Sequence, residues 1–154
     1  MKKKSVILVV ILLIITAATA CIYLLGRDEP SEGCLTVLCE GNSKTVDPFS
    51  KGLQPVSGVL INGKGEEKEI SGSGVPLKDV ITLSGIKEGA YQSAKIVSSD
   101  EYAAELTADE IKEDGKAFLI KDTSDDNSMT IRLIVFGDSN SKRQVKNVER
   151  IELS

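Results

Sequence analysis

The residues able to do chemistry are few, and their types narrow the field at once. The chain contains no histidine and no tryptophan. That removes Ser-His-Asp and Cys-His triads, histidine-containing zinc sites and any histidine base. Three cysteines are present, Cys21, Cys34 and Cys39. The last two bound a stretch (CLTVLC) that reads as a strand, where residues five apart face opposite sides. The spacing therefore predicts no bridge between them, with Cys39 sharing the face of Leu35 and Val37. Cys34, on the other face, is left to stay a thiol or to bridge a second molecule. Without C-x-x-C, a redox pair is not expected.

Other polar groups offer weaker chemistry. Gly-Asp-Ser at 137–139 holds a hydroxyl with no ordinary base, and a Ser-Lys arrangement with Lys142 or Lys146 has no support. Asp122, Asp125, Asp126 and Asn127 could offer oxygens to calcium, but they lack the D-x-[DN]-x-[DN]-G spacing and read as a solvated hairpin loop. Gly72-Ser73-Gly74 is too short for a phosphate loop and reads as a turn before a helix. No Walker A motif is present.

Charge singles out one segment. The chain carries 19 basic and 23 acidic residues, net −4. The first 26 residues hold three lysines and no acid, which leaves the remainder at 16 basic against 23 acidic, net −7. A domain that acidic is not expected to bind DNA or RNA, where neutralising phosphates supplies the affinity. Yet Arg132, Lys142, Arg143, Lys146 and Arg150 face only Asp138 and Glu149 between positions 132 and 150, a local +3. The plain expectation is a solvated face or a surface near anionic headgroups. The functional one is an anion site formed by Arg132, Lys142 and Arg143, two of them guanidiniums suited to gripping phosphate.

The elements that must position these groups begin with an export signal. After Lys2, Lys3 and Lys4, the segment Ser5–Gly26 is uncharged and apolar. Its 22 residues would cover about 33 Å as a helix, enough to span a bilayer core. The lysines favour the cytoplasmic side, which sends the rest outward. Ala18-Thr19-Ala20 before Cys21 leaves two alternatives, a cleaved signal peptide and a lipoprotein anchored at Cys21. Residues 1–26 thus read as an anchor or signal, 27–33 as a polar stalk and 34–154 as the exported domain.

Within that domain, strands are expected at 34–39, 44–47, 55–62 and 66–71. Asn62-Gly63 marks a hairpin between the last two. Pro76 to Leu83 reads as a short helix burying Leu77, Val80 and Ile81, with Gly85 beyond its end. Strands follow at 93–98 and 101–106. Thr107 and Glu110 form a capping box opening a second short helix that Gly115 ends. Further strands are expected at 117–121 and 131–136. The stretch 145–153 reads as a strand with a bend or bulge. The sum is a β-rich α+β domain of mixed sheets with two or three short helices.

Four segments, in order, resemble the oxidoreductase molybdopterin-binding domain family, which has the sulfite-oxidase-like fold. Residues 74–81 (GVPLKDVI) are similar to its G-V-P-L-x-D-L-L segment, and 99–102 (SDEY) to its S-D-G-Y turn. Residues 132–137 (RLIVFG) resemble R-L-V-V-P-G, and 145–153 (VKNVERIEL) resemble its closing W-V-K-x-V-x-x-I-E-L. The resemblance spans residues 35–153 and implies a mixed α+β fold of curved sheets. It implies molybdopterin as cofactor and a cysteine thiolate on molybdenum, from the stretch before G-V-P-L. Here that stretch, 56–65 (VSGVLINGKG), has no cysteine, and Cys34 and Cys39 come too early.

The expectation is therefore a bacterial, membrane-tethered extracytoplasmic domain of this type, non-catalytic, with no cofactor or metal. Its partners would be the membrane, through the N-terminal helix, and a small ligand or an envelope protein. The alternative is an oxidoreductase or electron-transfer protein that still binds molybdopterin. A purely structural partner subunit is a third reading.

If Ser5–Gly26 is an uncleaved anchor, intact-mass measurement of membrane-extracted protein will return the full N-terminus. A mass beginning at a diacylated Cys21 would establish the lipoprotein instead.

Overall fold

The computed structural model describes residues 32–123, 128–139 and 141–154. The expected anchor, most of the stalk, and Asp125, Asp126 and Asn127 lie outside them. Among the described residues no helix is long and apolar enough to cross a membrane.

Among the described residues, nine strands and two short helices follow one another: β1 (Leu35–Cys39), β2 (Asn42–Val46), β3 (Gln54–Ile61), β4 (Glu67–Pro76), α1 (Leu77–Leu83), β5 (Ser93–Ser98), β6 (Ala103–Thr107), α2 (Ala108–Lys112), β7 (Ala117–Thr123), β8 (Met129–Val135) and β9 (Val148–Leu153). They form a five-stranded sheet in the order β2-β1-β9-β5-β6 and a four-stranded sheet in the order β3-β4-β7-β8. Every pairing is antiparallel except β1 with β9. The α+β, β-rich expectation is met at this level.

Alternation along the strands builds the core. Leu35 and Val37 of β1, Ile96 of β5, Leu106 of β6 and Ile151 of β9 point inward from the larger sheet. Leu119 of β7 and Ile131, Leu133 and Val135 of β8 meet them from the smaller one. Leu77, Val80 and Ile81 of α1 join the same cluster, as their i, i+3, i+4 spacing requires. Cys39 packs partly against it, on the side predicted, and forms no disulfide with Cys34.

The smaller sheet has a second apolar face. Val56, Leu60 and Ile134 are buried there, outside the main cluster. Phe118 meets Phe136 edge-on, ring centroids 6.0 Å apart. Phe136 lies just past β8, and a Cβ built on Gly58 of β3 would sit 2.6 Å from its ring. Since β3 and β8 are the two ends of the strand order, this contact means the sheet curls round its inner face. Glycine at 58 makes room for the ring.

Three local expectations are corrected. Gly72-Ser73-Gly74 does not break the pattern but lies inside the ten-residue β4. The reason is tertiary: Gly74 pairs with Ile120, and a Cβ on it would stand 2.5 Å from the Leu119 carbonyl oxygen. The glycine permits close backbone approach between β4 and β7. The hairpin at Asn62 is not a two-residue Asn-Gly turn. Asn62 instead donates from its backbone to Glu66, while its Oδ1 accepts from the Lys64 and Glu66 amides, and Gly65 takes the positive φ of 82°. Finally, the last strand starts at Val148, not 145. Val145 makes an isolated bridge to Leu133, and Asn147 at φ 51° turns the chain into β9.

Gly74→Ala will lower unfolding stability in urea by about 2–3 kcal/mol, an overpacking cost. Gly72→Ala, where nothing lies within 4 Å of the added carbon, will be neutral or slightly stabilising.

Candidate functional site

The basic segment lies mostly on the connection from β8 to β9, which carries the chain from one sheet to the other. Arg143 holds this connection together. Its Nε donates to Asp138 at 2.8 Å and its Nη2 donates to the other oxygen of the same carboxylate, a bidentate pair. Its Nη1 donates to Glu110 Oε1 at 2.8 Å. Glu110 is also the capping-box residue of α2, accepting from the Thr107 amide at 3.0 Å while the Thr107 hydroxyl accepts from the Glu110 amide. Burial pushes the Glu110 carboxyl up, but the Thr107 amide and Arg143 outweigh it and hold the group below its ordinary 4.5. Asp138 and Glu110 together raise Arg143 further above its already high value.

Two further contacts pin the connection. The Tyr102 hydroxyl donates to the Lys142 carbonyl. The Gln144 side-chain amide donates to the Val135 carbonyl at 2.9 Å and its oxygen accepts from the Val135 amide at 3.4 Å.

Arg132 stands elsewhere, on β8 opposite Ile120 of β7. Its Nη1 lies 3.9 Å from Asp122 Oδ2, and its Nε is buried without a hydrogen-bond partner. The two arginines of the expected anion trio share no carboxylate, and Arg143 is already engaged with two of its own. Arg150, on β9, is likewise taken up by Glu101 and Glu152 at 2.7 Å each. Among the described residues, the buried side-chain donor with no partner is the Arg132 Nε. Among the described residues no group of three acids or cysteines is arranged to hold a metal ion.

A separate concavity lies at the β2–β1 edge of the larger sheet. The β1–β2 hairpin and the loop after α1 enclose a groove of about 600 Å³, with Val37, Cys39 and Ile86 on its floor and Lys44 and Lys87 among its walls. Lys44 Nζ donates to the Leu83 carbonyl at the end of α1, at 3.4 Å. A smaller groove of about 390 Å³ lies between α1 and the turn before β3, beside the exposed Leu53. Sequence reasoning missed the 600 Å³ groove because its two lysines lie on elements far apart in the chain. No spacing signal links them.

No family model matches the chain, and none of the curated proteins is significantly similar to it.

Arg143→Ala will cost about 1–2 kcal/mol of stability at pH 7, since Asp138 loses its bidentate partner while Glu110 keeps the Thr107 amide and Lys116 at 3.7 Å. Lys142→Ala, which keeps the backbone carbonyl that Tyr102 uses, will stay within about 0.5 kcal/mol. Because the folded Glu110 carboxyl titrates below its unfolded value, its share of stability is present above pH 4.5 and lost as the pH falls through the folded value. The gap between wild type and Arg143→Ala in denaturant titrations will therefore narrow below that pH.

Proposed function

We propose that this chain is a membrane-tethered extracytoplasmic domain of the molybdopterin-binding type that binds a ligand or partner and carries no metal chemistry. The tether reading rests on the 22-residue apolar segment behind three lysines. Support for the fold comes from the four ordered motifs together with a β-rich, two-sheet architecture that has a curled sheet and short helices.

The placement of sulfur carries the non-catalytic reading. A thiolate is the soft protein ligand that suits molybdenum. The stretch that would supply it, residues 56–65, forms most of β3 and the turn after it, and contains no cysteine. Cys39 belongs to the other sheet and lines a groove to which β3 contributes no residue. The residues at hand do not fit a thiolate-bound molybdenum centre, and no catalytic step is assigned.

One observation favours the alternative, an oxidoreductase or electron-transfer protein that keeps molybdopterin without the thiolate. The buried, unpartnered Nε of Arg132 is a donor that a pterin phosphate could satisfy. Molybdenum analysis decides between the two. Full-length protein purified from a molybdenum-replete host will carry substoichiometric metal, and stoichiometric molybdenum would overturn the binding-module reading.

A further inference from the structure

We propose that the groove between the β1–β2 hairpin and the loop after α1 binds an amphiphilic anion, an apolar body bearing one carboxylate or phosphate. This deepens the binding-module reading by giving it a site and a ligand class. The volume, about 600 Å³, lies in the range of small-molecule sites. The floor is apolar: Val37 is 1% exposed, and Cys39 and Ile86 are half-buried and packed on the core. A flat hydrocarbon body placed there trades water for aliphatic and thiol surface.

The walls select for charge. Lys44 and Lys87 face a single acid, Glu40, among the lining residues, which leaves a local +1 on a domain of −7. One anionic group on the ligand balances that count. The ammonium of Lys44 spends one donor on the Leu83 carbonyl, which fixes the cation at the end of α1 and leaves two protons for a ligand. The Lys87 carbonyl accepts from the Ala90 amide, while its ammonium has no hydrogen-bond or ion-pair partner among the described residues. The carboxylate next to it in sequence, Glu88, acts instead on Lys78 and Tyr91. Ser43 and Asn42 add neutral donors at the rim. A neutral apolar ligand would leave that +1 uncompensated, and a compact inorganic anion would leave the floor uncovered.

Such an anion could be a soluble metabolite or the headgroup region of an anionic lipid, and the test separates them. Full-length protein in phosphatidylcholine nanodiscs is titrated calorimetrically with 1-naphthyl phosphate, with empty nanodiscs as reference. We expect one saturable site, weakened about ten- to a hundredfold by Lys87→Glu, as loss of a charge-assisted contact predicts. Lys51→Glu, outside the groove, will leave it unchanged. If phosphatidylglycerol nanodiscs compete with the probe, the natural occupant is a lipid. If they do not, it is a soluble anion. Absence of binding, equal binding by Lys87→Glu, or equal binding of uncharged 1-naphthol would overturn the proposal. A stoichiometric molybdenum result would overturn the preceding reading and leave this titration standing.

Discussion

The strand that closes the chain, β9, is the one on which the rest of the architecture depends. It lies between β1 and β5, parallel to the first and antiparallel to the second. Ile151 faces Val37 on one side and Ile96 on the other, and all three are buried. Without β9 the larger sheet is two separate hairpins, β1–β2 and β5–β6, and an isolated hairpin is marginal in water. The pairing of Thr36 with Arg150 closes almost the whole of the described residues into one loop. Such long-range parallel pairing pays its entropy before it is rewarded. The connection feeding β9 is correspondingly well fixed, with Arg143 tying it to the cap of α2 and Val145 bridged to β8.

That use of Arg143 changes what the basic segment means. On paper it is a local +3 that invites an anion. In the fold, the carboxylates of Asp138, Glu110, Glu101 and Glu152 take up two of its three arginines. The acidic excess of the domain is partly spent as internal partners. Ion pairs at this degree of exposure add little net energy each. Their geometry matters more: a planar guanidinium held by two carboxylates admits few orientations of the loop that carries it.

Much of the fold was legible in the sequence because the signals were local. The capping box at Thr107 and Glu110 is present as read. So is the α1 stripe of Leu77, Val80 and Ile81, and β5 has the expected bounds. What escaped depends on partners distant in sequence. Gly72 to Gly74 resembles a turn until β7 is seen pressed against Gly74. Glu101 is a second case. It holds φ 66° at the turn compared with S-D-G-Y, where that pattern has glycine, and Arg150 grips its carboxylate. Propensity disfavours a long side chain there, and the Arg150 guanidinium, donating to both oxygens of the carboxylate, helps to hold it. The groove with Lys44 and Lys87 belongs to the same class, assembled by topology from residues with no mutual spacing.

Gln144 has a consequence for how this domain keeps to itself. The outer edge of β8 offers backbone donors and acceptors in a row, an invitation for a strand from another molecule to add on. At Val135 both groups are taken by one glutamine amide, which presents a donor and an acceptor as a peptide unit would. At Leu133 the amide is taken by the Val145 carbonyl, one bond of an unextended bridge. A single side chain and a single residue of backbone thus occupy the Leu133–Val135 end of that edge. The closure cannot propagate, because a side-chain amide has no neighbour along a chain to continue the ladder. A strand adding at that end of β8 would first have to displace the Gln144 amide and the Val145 carbonyl.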